Sequence, residues 1–385
     1  MKIAILGSTG SIGQSTLDII RKDKKKFNII LLSANNNYKK LIKQAKEFNP
    51  QNVLINNIKF YRKVRNSLKK EIKVYAGQTD ITKIITKRID YTMSSIVGLA
   101  GLQPTIDAIK ISKNVALANK ETIICGWEVL SQHMRRYKTN ILLVDSEHFS
   151  IEALTKNISD HNIEEIIITA SGGPFLNMSI PKLNKVTPQQ AIKHPNWKMG
   201  KKISVDSATL MNKVFEVIEA CKYFSFNKNK YRIVIHPQSY VHAIIRFKNG
   251  LIKMIMHNTD MKIPIKNTLF GKQTYCSNIK KIDLKILNNL QFQSVDTKKF
   301  PSIKLINKCL TLGPLTPTIV NASNEVLVNL FLNNKIKFLD IVKTINKIFK
   351  DKDFKKYATR KPKTIEDIKI ADNWSRLKTM SMCVE

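Results

Sequence analysis

The feature that most constrains this chain is its opening. Ile3-Ala4-Ile5-Leu6 runs into Gly7-Ser8-Thr9-Gly10-Ser11-Ile12-Gly13, and helical spacing follows through Thr16–Arg21. An apolar strand, a glycine turn and a helix, in that order, begin an open α/β sheet. Glycine lets the backbone turn tightly, and the helix start offers N–H groups that have no partner within the helix, a natural seat for a phosphate. The glycines at 7, 10 and 13 depart from the common GxGxxG spacing but meet the same need. The alternation then repeats. Phe27–Leu32 reads as a strand, Tyr38–Phe48 as a helix and Val53–Ile55 as a strand, with later strand-like runs at Ile96-Val97, Val115–Ala118 and Ile141–Val144. Such alternation implies βαβ units and a parallel, Rossmann-like sheet.

The pattern changes along the chain. Residues 1–144 form the expected dinucleotide-binding domain. Residues 145–270 stay mixed α/β, with strands at Ile166–Ile168 and Ile233–Ile235, and read as a connecting catalytic domain. Within it, the polar, Pro-containing stretch 172–202 is long and aperiodic enough for a lid. Residues 271–301 read as a linker. From 302 to 385 the apolar spacing is helical, as in Val326, Leu327, Leu330 and Ile341, Val342, Ile345, Ile348.

Charge suggests a different function and has to be weighed. Lys plus Arg number 65 against 29 Asp plus Glu, a net +36, and such a surplus attracts polyanions. The lysines are spread through the whole chain, among many Asn and Ile, with no nucleic-acid-binding motif beside them. Lys, Asn and Ile share A/T-rich codons, so base composition accounts for all three, and no nucleic-acid partner is expected. No apolar run reaches the ~18–20 residues that span a bilayer. The first residues are too short for a signal h-region, so a cytoplasmic, non-membrane protein is expected. Cys125, Cys221, Cys276, Cys309 and Cys383 form no CxxC pair, which argues against a zinc site or a disulfide framework.

Five blocks carry chemistry. The end of the second strand, Ser33-Ala34-Asn35-Asn36-Asn37, lacks the acidic residue that binds a free ribose 2′-hydroxyl, which leans toward NADP over NAD. Asp145-Ser146-Glu147 ends a strand; carboxylates two apart on an extended segment point the same way, and all-oxygen ligands suit Mg²⁺ or Mn²⁺. The same tripeptide is also ordinary surface sequence. Ser207, Asn212 and Lys213 offer a hydroxyl, an amide and an ammonium to one phosphate, while Lys213 and Glu216 equally fit a plain i,i+3 ion pair. Ser171-Gly172-Gly173 exposes backbone N–H groups, and Trp197 and Met199 sit in a polar loop after His194.

Taken in order, these blocks resemble the 1-deoxy-D-xylulose 5-phosphate reductoisomerase family. The resemblance runs through residues 7–13, Ala118-Asn119-Lys120-Glu121, Val144–His148, Ser171–Phe175, His194–Gly200, Lys202–Thr209, Met211-Asn212-Lys213, Ile235–Ser239 and Asn324-Glu325. It implies a homodimeric enzyme that rearranges a small sugar phosphate and reduces it with NADPH and a divalent ion, Mg²⁺ or Mn²⁺ with Co²⁺ as a further candidate. The implied metal ligands are Asp145, Glu147 and Glu216. Ser171, His194, Ser207, Asn212 and Lys213 would hold the phosphate, and Ser146 and Lys120 the hydroxyl and carbonyl end. Trp197 and Met199 would ride on the lid. Gly7, Ser8, Thr9, Gly10, Ser11, Ile12, Asn36, Asn37, Asn119, Glu121 and Gly200 would line the cofactor. Asn36 departs from the basic residue that the family often carries near the ribose phosphate, and Val214 from its usual glycine. No role carries over beyond Lys350. The competing reading is another NAD(P)-dependent oxidoreductase of a small phosphorylated or acidic substrate, which would need no three-carboxylate site.

If Asn36 faces the ribose phosphate, Asn36→Lys adds a charge-assisted contact. The NADPH/NADH preference should widen by about tenfold, mainly through a lower NADPH Michaelis constant. Steady-state kinetics with both cofactors checks this, and an unchanged ratio would place Asn36 elsewhere.

Overall fold

The computed structural model describes residues 1–197, 199–271 and 282–384. Two compact units emerge. The first takes Met1–Thr122 and Glu128–Asp145 and regains the chain from Asp260. Its sheet has seven parallel strands, β1 (Lys2–Leu6), β2 (Asn28–Ala34), β3 (Asn52–Ile55), β4 (Lys73–Ala76), β5 (Ile89–Ser94), β6 (Ser112–Leu117) and β7 (Asn140–Leu143), in the order β4-β3-β2-β1-β5-β6-β7. The order reverses direction at β1, the switch point where such sheets bind ligands. Helix Ser11–Lys22 follows β1 directly and buries Leu17, Ile19 and Ile20 in the same core as Ile3 and Ile5.

The second unit holds Ser146–Thr259 and the described chain from residue 282 onward, with Ile123–Trp127. Its mixed sheet runs β11-β10-β8-β9-β12, built from β8 (Ile163–Ala170), β9 (Tyr231–Ile235), β10 (Val241–Phe247), β11 (Ile252–Met256) and β12 (Gln293–Ser294). Among its described strands, only β8 and β9 pair in parallel. Helices Thr316–Leu332, Asp340–Ile348 and Ile365–Val384 pack on one another near the C-terminus. Arg376 ties the last of them to Glu325 of the first (2.5 Å) and pairs with Asp372 one turn back in its own helix (2.6 Å).

Several sequence expectations change. Ile96-Val97 is not a strand: Val97 is exposed, and the strand lies earlier, at β5, where Asp90, Thr92 and Ser94 break up the apolar run. β4 escapes sequence reading because its four residues include Lys73 and Tyr75. The mixed α/β segment expected to reach residue 270 ends sooner. Helix Lys262–Phe270 belongs to the first unit, where Ile265 and Leu269 enter the core and the Tyr91 hydroxyl meets Thr268 Oγ1 at 2.8 Å. The supposed linker carries regular structure, since Leu284–Asn289 is a 3₁₀ helix and β12 pairs with β9. Its residues 272–281, Cys276 among them, lie outside the described residues. The other four cysteines are free thiols.

Candidate active site

Candidate functional residues fall in two separate clusters, and the nucleotide turn is the simpler. Gly7 has φ +82°, and a Cβ on it would come within 2.9 Å of the Ser95 carbonyl oxygen. A Cβ on Gly13 would lie 2.5 Å from the Gly7 carbonyl oxygen. Glycine is therefore required at both places, so that the turn and the helix start stay in contact. The first intrahelical bond runs from Gln14 N to Gly10 O, which leaves the amides of Ser11, Ile12 and Gly13 ahead of it. That arrangement fits a pyrophosphate.

Not every residue of this turn faces outward. Ser8 is fully buried, its hydroxyl donates to Gln44 Oε1 (2.8 Å), and its own carbonyl accepts from Gln44 Nε2 (2.9 Å). Its side chain therefore shapes the turn and does not reach a ligand. Asn119 behaves likewise: its amide donates to the carbonyls of Ile96 and Gly98, and its oxygen caps helix Lys120–Tyr137. Asn37 caps helix Tyr38–Phe48 by accepting from Lys40 N at 3.2 Å. Asn36 is exposed at the end of β2, Glu121 is buried in the first turn of its helix, and a Cβ on Gly200 would meet open space.

The second cluster gathers carboxylates. Helix Ser146–Thr155 begins directly after Asp145, so Asp145-Ser146-Glu147 is not the extended segment expected from the sequence. The carboxylates converge nonetheless. One oxygen each of Asp145, Glu147 and Glu216 lies within 4.8 Å of the others. Lys213 Nζ donates to Glu147 Oε1 (2.5 Å) and to Glu216 Oε2 (2.6 Å). Ser146 donates to Glu147 Oε2 (2.6 Å), Asn212 to Glu216 Oε1 (2.5 Å), and Lys120 to Asp145 Oδ2 (3.3 Å). Three carboxylates and no soft ligand suit a hard divalent cation.

Helix Met211–Tyr223 carries Asn212, Lys213 and Glu216. It starts from Leu210, whose φ of 58° is unusual for a residue with a side chain. This strained link turns the chain between helix Lys201–Ala208, which bears the buried Ser207, and the helix of the metal ligand. Sequence reading missed it because no glycine marks the turn. It also passed over His148, which is fully buried with Nε2 3.0 Å from the Glu216 carbonyl and 3.5 Å from Glu219. His148 thereby joins the helix of Glu147 to that of Glu216. Its place beside Glu147 in the sequence was the available signal.

Ser171 and His194 make a donor pair. His194 Nδ1 accepts from the backbone N–H groups of Asn196 (3.2 Å) and Trp197 (3.0 Å). These donors fix the tautomer, so Nε2 carries the proton and donates to Ser171 Oγ at 2.9 Å. Ser171 Oγ also accepts from Gly173 N (3.2 Å), which leaves its hydroxyl proton to point elsewhere. Burial, with Lys213 adding to it, pushes the His194 pKa down to about 4. Of the expected phosphate ligands, then, Ser171 and His194 stand together, while Asn212 and Lys213 engage the carboxylates. The Trp197 ring packs edge-on against His242 at 6.1 Å, and Met199 is half-buried.

Comparison with known proteins covers the whole chain. Residues 3–126 match the family profile described as 1-deoxy-D-xylulose 5-phosphate reductoisomerase. Residues 141–224 and 256–378 match two C-terminal domain profiles of that enzyme. The Pelagibacter ubique 1-deoxy-D-xylulose 5-phosphate reductoisomerase is 48% identical over 386 residues, covering 100% of both chains. The Clostridium novyi enzyme of that name is 41% identical over 96% of each chain. The Zymomonas mobilis enzyme, solved in complex with NADPH, superposes with TM-score 0.91 at 34% identity over 100% of this chain and 98% of the other. A further reductoisomerase structure, with NADPH, fosmidomycin and magnesium, gives 0.93 at 31% identity over the same shares. The similarity thus extends beyond Lys350, where no sequence block had been recognised.

His194 should stay neutral, with Nδ1 unprotonated, from pH 8 down to about pH 5. Its pKa lies below the usual 6.5, so the stability linked to it is complete above 6.5 and declines as the pH falls toward 4. Long-range proton–nitrogen NMR reports the ring nitrogens directly. A protonation midpoint near the ordinary histidine value would contradict the buried, two-donor arrangement.

Proposed function

Because the chain belongs to the 1-deoxy-D-xylulose 5-phosphate reductoisomerase family, we propose that the clusters around Glu216 and around the Gly7 turn are the working parts of that activity. The reaction is isomerisation and NADPH-dependent reduction of 1-deoxy-D-xylulose 5-phosphate to 2-C-methyl-D-erythritol 4-phosphate, a step of isoprenoid precursor synthesis that requires a divalent metal ion. The observation that carries the assignment of residues is the convergence of Asp145, Glu147 and Glu216 within 4.8 Å.

Each role follows from a contact. Asp145, Glu147 and Glu216 would hold Mg²⁺ or Mn²⁺, since their oxygens already share one small volume. When bound, that ion supplies Lewis acidity to the rearrangement, and NADPH supplies the hydride of the reduction. Ser146 and Asn212 donate to the ligand carboxylates and hold their orientation. Lys213 balances their charge. Lys120, beside Asp145, presents an ammonium to the carbonyl end of the substrate. Ser171, with its free hydroxyl proton, and the neutral His194 contribute to the phosphate seat, with Ser207 nearby in sequence on helix Lys201–Ala208. Trp197 closes over the sugar from the segment that His194 anchors, so that the fragments stay together while the carbon skeleton rearranges.

A homodimer in the cytosol completes the proposal. Strand β11 is an edge strand that exposes Ile252 and Met254 beside Leu251, an apolar edge of the kind a second copy covers. Free thiols at Cys125 and Cys309 suit a reducing compartment. No helix among the described residues is long and apolar enough to cross a membrane.

NADPH oxidation on adding 1-deoxy-D-xylulose 5-phosphate with Mg²⁺ or Mn²⁺ tests the function, and chelation should abolish it. Glu216→Gln should fold normally yet lose about 100-fold or more in kcat, because a ligand charge disappears while its shape remains. Wild-type turnover of that variant at limiting Mg²⁺ would refute the metal assignment.

A further inference from the structure

The ends of β2 and β3 are joined by side-chain amides. Asn56 Nδ2 donates to Asn35 Oδ1 (3.2 Å), and Asn57 Nδ2 donates to Asn36 Oδ1 (2.9 Å). The backbone runs alongside, with Asn56 N bonded to Ala34 O and Asn57 N to Asn35 O. Asn amides are usually ambiguous, because their oxygen and nitrogen can be exchanged. Here one contact removes the ambiguity. The N–H of Lys59 points at Asn57 Oδ1 at 3.1 Å, capping the 3₁₀ turn Ile58–Phe60. A backbone N–H can only donate, so that atom of Asn57 is its oxygen. The Asn57 Nδ2 must then face Asn36, and the atom of Asn36 that receives it is in turn its oxygen. The Asn36 Nδ2 is left turned away from Asn57, on an exposed residue, and donates to no protein atom among the described residues.

We propose that Asn57 is a specificity-determining positioning residue: its cap on Ile58–Phe60 sets the polarity of Asn36, so that a hydrogen-bond donor faces the 2′-position of the cofactor ribose. The proposal rests on the reading that the end of β2 receives that ribose. A 2′-phosphate is purely an acceptor and matches an outward donor, whereas a 2′-hydroxyl is served by either polarity. The relay thus lets a neutral residue at 36 favour the phosphorylated cofactor. It also explains how a position without Lys or Arg retains that preference. No motif marks Asn57, which lies 21 residues from Asn36, just past the end of the neighbouring strand.

Two variants keep the cap and change the relay. In Asn57→Asp, one carboxylate oxygen still accepts from Lys59 N, and the other accepts from the Asn36 amide, turning the Asn36 oxygen outward. Asn57→Ser keeps a capping hydroxyl but has no donor that reaches Asn36. The readout is calorimetric affinity for adenosine 2′,5′-bisphosphate and for adenosine 5′-monophosphate, without substrate or turnover. In wild type the bisphosphate should bind more tightly. Asn57→Asp should lower the bisphosphate/monophosphate affinity ratio by about tenfold or more, and Asn57→Ser by roughly threefold. Monophosphate affinity should stay within about twofold, which also reports an intact fold. In an Asn36→Ala background, Asn57→Ser should move the ratio by less than about twofold, because the relay has lost its terminal donor. A ratio unchanged in Asn57→Asp, or a full Asn57→Ser effect in the Asn36→Ala background, overturns the relay while leaving the ribose placement standing. If Asn36→Ala alone leaves the ratio unchanged, the placement itself falls, and the relay with it.

Discussion

Everything in the carboxylate cluster depends on one ammonium. Lys213 lies between Glu147 and Glu216, all three are buried, and each ion-pair contact is 2.5–2.6 Å. Burying a lone carboxylate is costly, and two of them close together cost more. Lys213 makes their approach tolerable, and the remaining lone pairs are met by Ser146 and Asn212. With Asp145 counted, the negative charges still outnumber Lys213, which is the electrostatic condition for holding a divalent ion. The helix positions follow from this arrangement. Glu216 lies three residues after Lys213 on one helical face, and His148 holds that helix to the one bearing Glu147. The strained Leu210 backbone is the cost of starting the helix where these side chains can meet.

The first unit solves a different problem with fewer charges. Its turn relies on backbone geometry, on the close packing of Gly13 against the Gly7 carbonyl, and on amides that precede the first intrahelical bond. Several polar side chains in and around the turn serve the protein itself. Ser8 locks to Gln44, Asn119 to the 96–98 loop, and Asn37 to its own helix. At the ends of β2 and β3, side-chain amides pair with one another across the strands.

This division explains what could be read from the sequence. The Gly7–Gly13 turn was legible because its demand is local: a tight bend and a close approach leave only glycine. The carboxylate set was legible as residue types in a familiar order, but its geometry was not. The sequence suggested an extended Asp145-Ser146-Glu147, and convergence depends instead on a helix start and on Glu216 arriving from far along the chain. β5 is hard to read from the sequence because Asp90, Thr92 and Ser94 interrupt its hydrophobicity, although the strand lies in the middle of the sheet. Helix Lys262–Phe270 was grouped with its sequence neighbours, because nothing local reveals that Ile265 and Leu269 pack into the first unit's core. Ser8 and Asn119 belong to a ligand-facing pattern, yet only three-dimensional partners show that their side chains turn inward.

We propose that Asp145, Glu147 and Glu216 together form one divalent-ion site. Titrating Mn²⁺ into the protein while following the free-ion electron paramagnetic resonance signal measures this without substrate or cofactor. The account predicts saturable binding of one Mn²⁺ per chain, weakened by roughly tenfold or more in Glu147→Gln. No saturable binding, or binding that Glu147→Gln leaves untouched, would contradict it.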